Sequence, residues 1–522
     1  MEFPFARNLS NPLTSLKHPG NLAQITDGYD NHSKHMCAFL RFILVVCLGS
    51  IGCVAQETSS NPTEVDRVSR ELQETRSELA ESRQQIKDLR RDLDELRNQV
   101  QSDHPSSTET TPPAASTVAN ADQDVGFLAA KIAELHQDKV ESASKYPVKI
   151  SGLVLFNAYR NSGSLDIQDL PSLAFPRYPG TPDGSIGATM RQTLLGVDAS
   201  GPKVFGAQSS ASVATDFGGG SPTTSYGVVN GLVRMRTADI RLDWEKTSVS
   251  IGQETPFFSP LSPTSYATVL EPALAWSGNL WVWTPQIEIE QRLSLKPDST
   301  LVLQGGLLDP LTEEEPPFQG RVATAGEATR VPALAGRIAI DRSTATHYPF
   351  ILGFAGYRAR QQYQTFNQID SWTVNTDLRI PVGKYLEVSG EWYDGQAVGG
   401  LGGGIWTSVV YPDVDAPHAA IHPLRSTGGW VQLKLKPATR FEINGAFGQD
   451  ENFGRDLHFF SNPFTELGFT PFQKNRTELV NLIYTPKSFL LFALEYRHLF
   501  TAPALGEGAS GDDLNLAVGV RF

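Results

Sequence analysis

The last ten residues of the chain, 513–522, are DLNLAVGVRF. Apolar side chains alternate with small or polar ones, which is the period-two pattern of a strand with one apolar face. The chain also ends on an aromatic residue. A terminal strand of this kind is suited to closing a membrane barrel against its first strand, with the aromatic ring at the membrane interface. The apolar phase of this barrel-closing strand consists of Leu514, Leu516, Val518, Val520 and Phe522.

The composition narrows the class of protein. The chain has 44 Lys and Arg against 57 Asp and Glu, for a formal net charge of −13. This acidic balance argues against nucleic acid as a partner. A helical membrane protein would carry long apolar runs of about 20 residues, but we find only one apolar run, residues 37–54, near the start.

That run predicts a signal peptide over residues 36–55, cleaved after Ala55. Met36 is then the expected start, and residues 1–35 are an untranslated or unstructured leader, because they show no targeting or folding pattern. A single membrane anchor and a lipoprotein modified at Cys53 are the alternatives. All three cysteines lie in this segment. The mature chain would therefore have no disulfide, which suits passage through an oxidising periplasm.

Residues 56–100 predict a coiled coil. Apolar residues recur every seven positions, and a second series follows each of them by three, so the two series form the a and d seam of a heptad repeat. Polar residues at two d positions weaken the middle of the predicted coiled coil. The pattern leaves the oligomer number open, and a solitary charged helix is the alternative. The seam consists of Val65, Leu72, Leu79, Ile86, Leu93 and Val100 at a, with Val68, Thr75, Ser82, Leu89 and Leu96 at d.

Residues 101–146 predict a flexible linker rich in Pro, Ser and Thr, followed by a short helix over 122–142. Residues 147–522 then alternate in polarity. Short and long connections alternate between the segments, as in bacterial outer-membrane barrels. The sixteen candidate strands are 147–160, 189–200, 203–216, 231–245, 247–254, 283–295, 299–310, 330–341, 348–358, 370–382, 384–396, 426–437, 439–450, 474–486, 488–498 and 513–522.

The predicted fold class is therefore an all-β transmembrane barrel of about sixteen antiparallel strands, preceded by an α-helical coiled coil. With an even number of strands, the chain enters and leaves the barrel on the same side. That side is the periplasm, where the coiled coil lies. In this arrangement the apolar phase of each strand faces lipid, and the polar phase lines a lumen.

With these features the chain resembles the trimeric outer-membrane porins, and most of all the DcaP-type porins, which carry a periplasmic coiled coil before the barrel. The resemblance covers residues 60–522 and lies in the heptads, the strand pattern and the closing DLNLAVGVRF. It implies passive diffusion of small hydrophilic solutes, including small dicarboxylates, through a homotrimer without cofactor, metal or catalytic residues. The terminal Phe resembles the signal by which the barrel-assembly machinery recognises such chains.

The third long connection, residues 255–282, is unusually apolar and aromatic for a loop. The resemblance implies that it folds into the lumen and narrows it. Its aromatic side chains would then pack against the inner wall and leave Glu271 beside the pathway. A surface loop packed at a subunit interface is the alternative. The aromatic candidates for this constriction loop are Phe257, Phe258, Tyr266 and Trp276.

Charged residues on the polar phase are candidates for setting ion selectivity. A row of Arg side chains would guide anionic solutes, because a guanidinium binds a carboxylate with two hydrogen bonds. Alternatively, Arg and acidic residues pair across strands and stiffen the wall. The sequence leaves both interpretations open, and our working hypothesis is weak selectivity for small anions. The candidates are Arg241, Arg292, Arg337, Arg379, Arg440, Glu288, Glu290, Asp377, Glu387 and Glu391.

Other functions receive less support. No nucleophile motif indicates an enzyme, and prolines flank His418 and His422, so we predict no metal site. Outer-loop acids at 313–315 and 512–513 suit cation-bridged contacts with lipopolysaccharide in the outer-membrane lipid. A structural anchor that tethers the envelope through its coiled coil, with peptidoglycan as partner, is the alternative function.

Overall fold

The computed structural model describes residues 146–522, apart from 178, 181, 221–230, 313–321, 343–349, 364–366, 413–419 and 467. Nearly all of the predicted signal peptide, coiled coil and linker, and also His418 and the acids at 313–315, lie outside these residues. Within them, no helix is long and apolar enough to cross a bilayer.

The described chain forms one closed antiparallel barrel of sixteen strands, as predicted. The second strand is interrupted at residues 190–193, so it has two segments. The strands are β1 (Val148–Ser162), β2 (Ser185–Thr189 and Leu194–Val204), β3 (Ala207–Asp216), β4 (Arg234–Asp243), β5 (Thr247–Glu254), β6 (Thr284–Lys296), β7 (Ser299–Leu308), β8 (Ala333–Arg342), β9 (Phe350–Tyr363), β10 (Asn367–Val382), β11 (Leu386–Gln396), β12 (Arg425–Ala438), β13 (Phe441–Asn452), β14 (Phe472–Lys487), β15 (Leu490–Pro503) and β16 (Ala509–Arg521).

The last strand closes the barrel against the first. β16 pairs with β1 from Leu153 opposite Arg521 to Ser162 opposite Asp512. Beyond this ladder the amide of Gly152 donates to the carbonyl of Phe522 at 3.0 Å, and the Phe522 amide donates back at 3.1 Å. The terminal residue therefore takes part in the closure through its backbone, which leaves its side chain on the outer face, 55 % exposed.

Two hairpins are taller than the sequence predicts. We expected long loops at 359–369 and 499–512, but β9 and β10 continue to Tyr363 and from Asn367, while β15 and β16 leave only residues 504–508 between them. The sequence analysis missed these strand ends because polar residues occupy the outer phase above the apolar belt. Alternation of apolar and polar residues therefore no longer marks the strand there. The prediction that Asp512 and Asp513 lie in a loop is wrong, since both belong to β16.

The two faces of the wall differ in polarity. On β14, β15 and β16 the outward residues Leu482, Leu494 and Leu516 pair in one row across the strands, and each is more than 40 % exposed. On β10 the inward residues Thr373 and Asp377 are buried although they are polar. Their burial implies that other parts of the chain occupy much of the barrel interior.

Short elements lie at the upper end of the barrel. This is the end opposite the start of β1 and the end of β16. Ser164–Leu165 pairs with Ala174–Phe175 in the first upper loop. Val409–Tyr411 pairs with His422–Pro423 and with Phe464–Thr465, which joins two further loops. The described helical turns are Glu327–Thr329, Gly399–Leu401 and Gly454–Leu457.

The outward leucine row gives a test of the membrane-facing surface. We expect Leu494→Arg to destabilise the inserted barrel by about 2–4 kcal/mol, because it places a charge on the lipid face. Leu494→Ala, which removes bulk without adding charge, should insert almost normally. Heat-modifiability of the barrel in detergent and yield in the membrane fraction measure both effects. Normal insertion of the Arg variant would contradict the assignment of this face to lipid.

Candidate functional site

The candidate site is the barrel interior, and its largest component is L3, the connection between β5 and β6 (residues 255–283). Only Pro260 and Ser262 in L3 are exposed. L3 therefore lies inside the barrel, where its backbone N–H and C=O groups need partners from the wall. We describe it as an outbound arm (255–270) and a return arm (271–283).

The outbound arm begins with an apolar anchor. Phe257 and Phe258 are 4 % and 0 % exposed, and they pack against Leu308 of β7, Ala333 of β8 and Tyr357 of β9. The rings of Phe258 and Tyr357 have centroids 5.3 Å apart. Burial of two aromatic side chains supplies several kcal/mol of hydrophobic stabilisation, on the order of 1.5–3 each, and fixes the start of the arm.

The arm then crosses to β11 and β12, where wall side chains bind its polar groups. The Glu391 carboxylate accepts from the Ser259 hydroxyl at 2.5 Å and from the Leu261 amide at 2.7 Å. Gln432 accepts from the Thr264 amide at 2.6 Å. Each bond satisfies a buried group that would otherwise be unpaired, a loss of about 1–3 kcal/mol.

The next contacts are with β14, β15 and β1. Asn481 donates to the Thr264 carbonyl at 2.8 Å, Glu495 accepts from the Ser265 hydroxyl at 2.6 Å, and Asn157 donates to the Tyr266 carbonyl at 2.8 Å. The Tyr266 hydroxyl accepts from Arg521, whose guanidinium also lies over the ring. Tyr266 therefore reaches toward the lower end of the barrel, where β16 ends.

The arm ends at β2 and β4. Gln192, in the interruption of β2, donates to the Ala267 carbonyl at 2.5 Å and accepts from the Val269 amide. Arg236 donates to the Val269 carbonyl at 2.5 Å, and Arg234 donates to the Leu270 carbonyl at 2.8 Å. The outbound arm thus follows most of the inner circumference, rather than crossing the barrel as a straight strap.

The return arm runs back along β14 and β12. The hydroxyls of Ser277 and Thr477 are 2.8 Å apart, and Asn475 donates to the Trp276 carbonyl at 2.9 Å. Gly278 has a φ of +90°, and a Cβ on it would lie 2.3 Å from the Gly429 nitrogen. Only glycine at both positions allows the loop backbone to touch the wall here.

Burial raises the pKa of Glu271 to about 7, and the nearby Asp166 adds to the effect. The Trp276 side chain hydrogen-bonds to the Glu271 carboxylate. A water-sized cavity of about 10 Å³ lies beside Glu271 and is lined by Thr268, Leu274 and Arg497. The Glu271 side chain therefore lies inside the barrel, where L3 faces the first upper loop.

Among the predicted selectivity residues, the best-buried pair is Arg337 with Asp377. The guanidinium makes two bonds to the carboxylate, at 2.8 and 2.7 Å, and the side chains are 7 % and 2 % exposed. The pair spans β8 to β10 over Gly353 of β9, where a Cβ would lie 2.1 Å from Asp377 Oδ1. This arrangement is the cross-strand pairing that we considered as the alternative to a free Arg row.

Other predicted charges also pair along the inner wall. Arg241 binds Asp243 at 2.8 Å, Arg292 binds Glu290, and Arg379 lies 3.8 Å from Glu387. Glu288 accepts from Gln304 at 2.7 Å, as a neighbour of Glu290 in the same inward phase. Arg292 nevertheless keeps 49 % of its side chain exposed, Arg241 keeps 37 % and Arg379 keeps 32 %, so all three remain open to the interior.

Arg440 lies elsewhere than predicted. We expected it on a strand over 439–450, but it is an exposed residue in the turn between β12 and β13. The strand begins at Phe441, two residues later than predicted, because the hairpin register shifts between Leu435 and Ala438. Arg440 is thus at the lower rim rather than in the wall.

Several residues that hold the site were missed from sequence. They are mostly uncharged amides, and the sequence analysis ranked charged side chains first. The usable signal would have been an Asn or Gln in the polar phase near the middle of a strand. A wall that faces only water has no need of an amide side chain there. The missed anchors are Asn157, Gln192, Arg234, Arg236, Gln432, Asn475 and Asn481.

No cluster of three or more His, Cys, Asp or Glu that could hold a metal occurs within residues 146–522 as described. His422 instead pairs with Asp456 at 3.1 Å and stacks on Phe459.

Comparison with solved structures identifies the fold. The outer membrane channel DcaP of Acinetobacter baumannii has 16 % sequence identity, and the match covers 74 % of this chain and 100 % of that one with a TM-score of 0.56. An anion-selective porin from Comamonas acidovorans has 10 % identity over 72 % of this chain and 100 % of that one, with a TM-score of 0.44. No family model and no curated protein matches the chain. The described barrel therefore has the fold of the DcaP channel.

The fit of L3 against the wall can be tested at Gly278. We expect Gly278→Ala to displace the return arm, because the new Cβ would overlap Gly429, and overpacking of this kind costs about 1–3 kcal/mol. Single-channel conductance should rise and become noisier. Gly180→Ala is the matched control, since Gly180 has the same φ of +90° but nothing within 4 Å. Equal effects of the two substitutions would contradict the close contact.

The Arg337–Asp377 pair can be tested without mutating either charge. Gly353→Ala should push the Asp377 carboxylate away from Arg337, and breaking a buried pair typically costs about 3–5 kcal/mol. The midpoint of heat unfolding in detergent measures the loss. Gly305→Ala is the control, because a Cβ there meets nothing within 4 Å. An unchanged midpoint for Gly353→Ala would show that the pair does not stabilise the barrel.

Proposed function

We propose that this chain is an outer-membrane porin that lets small hydrophilic solutes diffuse passively, with a weak preference for small anions such as carboxylates. The observation that carries the proposal is the course of L3 along the inner wall, where it would narrow the path of a solute. A barrel that served only as an anchor has no need of a loop arranged around its interior. The outward apolar rows support lipid on the other face.

The charges support weak rather than strong selectivity. Most inward Arg side chains are bound to carboxylates, which cancels much of their field. Arg292, Arg241 and Arg379 remain partly exposed, at 49 %, 37 % and 32 %, and Arg440 is exposed at the lower rim. These four guanidinium groups are the ones a passing carboxylate would meet, with geometry suited to two hydrogen bonds.

The proposal extends to the rest of the molecule. The signal peptide over 36–55 would direct export, and the coiled coil over 56–100 would lie in the periplasm, joined to the barrel by the linker over 101–146. We further propose a homotrimer in the outer membrane, in contact with lipopolysaccharide and inserted by the barrel-assembly machinery. Tethering of peptidoglycan by the coiled coil would be a second role, compatible with a channel.

Planar-bilayer recording of the purified full-length protein tests the proposal. We expect stepwise conductance and, in a salt gradient, a reversal potential of the sign for weak anion preference. Arg292→Gln should shift that potential toward zero or cation preference, because it removes an exposed inward charge. Arg342→Gln is the control, since Arg342 is 59 % exposed but lies on the outer phase of β8.

Two results would contradict the proposal in different ways. Absence of conductance would favour the structural anchor. Conductance with cation preference in the unmodified protein would retain the porin and remove the anion preference.

A further inference from the structure

A row of four indole rings crosses the upper part of the barrel. Trp283 and Trp281 have centroids 5.3 Å apart, Trp281 and Trp276 are 5.4 Å apart, and Trp276 and Trp406 are 5.3 Å apart. The first three belong to the return arm of L3. Trp406 belongs to L6, the connection between β11 and β12 (residues 397–424). Half of the chain's 8 tryptophans are therefore in one continuous row.

The row passes from buried to exposed. Trp281 is 7 % exposed, and a Cβ on Gly402 would lie 2.8 Å from its ring, so the protein encloses it. Trp276 is partly exposed, and Trp406 keeps 39 % of its surface open. The buried member fixes the row, while the open end presents a partly exposed indole.

The backbone at the open end is strained. Trp276 and Trp406 have φ of 62° and 60°, and Leu274 and Ile405 next to them have φ of 62° and 52°. A left-handed backbone is unfavourable at a residue other than glycine. Such strain collects at ligand clamps and other functional sites, where the surrounding structure holds a side chain in place.

Packing of L6 on L3 is the competing explanation, because aromatic pairs stabilise the contact between two loops. It accounts for Trp281, which is buried. It accounts less well for Trp406, since a ring needed only for packing gains most when fully buried, and this one is both exposed and strained.

Two acidic side chains lie near the open end. The Glu271 carboxylate hydrogen-bonds to the Trp276 side chain, and Asp166 is close enough to raise the pKa of Glu271. A carboxyl group accepts hydrogen bonds from hydroxyls, and in its ionised form it repels an anionic ligand.

The cations nearby are already engaged. Arg234 binds Asp216 at 2.8 Å and the Leu270 carbonyl. Arg236 binds the Val269 carbonyl, and its guanidinium lies over Trp283, 4.3 Å from the ring centre. Both are at the far end of the row from Trp406. Arg191 and Arg497, which lie nearer Glu271, pair with Asp169 and Glu495. Among the residues that the structure describes, these four cations are therefore already bound.

We propose that Trp406 and Trp276 form a binding site for a neutral sugar ring at the upper mouth of the barrel. The apolar C–H face of the ring would stack on the indoles, and its hydroxyls would donate to Glu271. The proposal rests on the channel function proposed above, and it assigns to the mouth a solute class different from the anions favoured lower in the barrel.

Current block by maltotriose, a neutral trisaccharide, tests the site in planar bilayers. We expect concentration-dependent block of the full-length channel. Trp406→Ala should weaken the block by about tenfold, the effect of losing roughly 1.4 kcal/mol of stacking, while channel opening without sugar persists. Trp406→Phe should keep part of the block. Trp392→Ala is the matched control, because Trp392 is 49 % exposed on the outer face.

Quenching of tryptophan fluorescence by maltotriose gives a second readout that does not need current. We expect quenching in the unmodified protein and its loss in Trp406→Ala, including where that variant opens poorly in the bilayer. The proposal is overturned if conducting channels are not blocked by maltotriose, if Trp406→Ala is blocked normally, or if Trp392→Ala loses the block equally. Absence of any conductance would instead overturn the porin function itself.

Discussion

The structure depends on one constraint: the backbone of a loop placed inside a barrel must find its hydrogen bonds there. L3 meets it through side chains of the wall, which bind its backbone at intervals around the circumference. Asn157, Gln432 and Asn481 do so with neutral amides, and Glu391 does so with a carboxylate. Because an unpaired buried backbone group is unfavourable by about 1–3 kcal/mol, these bonds together hold L3 against the wall.

The same constraint affects the charges. Some inward carboxylates hold the loop, as Glu391 does, and others neutralise a guanidinium, as Asp377 does for Arg337. Charge available to a solute is therefore confined to side chains that L3 leaves open, such as Arg292. Selectivity in this barrel follows from which charges are exposed, more than from how many face inward.

The sequence predicted the barrel well, because strand alternation and connection length are local signals. The phase of β16 and the inward position of Arg337 and Asp377 follow directly from period two. The heights of the β9–β10 and β15–β16 hairpins do not follow from period two. Polar residues on the outer phase above the membrane belt remove the alternation of apolar and polar residues there. Likewise, the amide anchors and the Trp276–Trp406 stack depend on contacts between segments distant in sequence, which a local pattern does not encode.

The account's central claim is that L3 lies against the inner wall of the barrel. Ser277→Cys with Thr477→Cys tests it, because the two hydroxyls are 2.8 Å apart and the only native cysteines are at 37, 47 and 53. After oxidation, we expect mass spectrometry to find an intramolecular disulfide in the double variant, and none in either single variant. Failure to form this bond, or formation only between chains, would contradict the placement of L3.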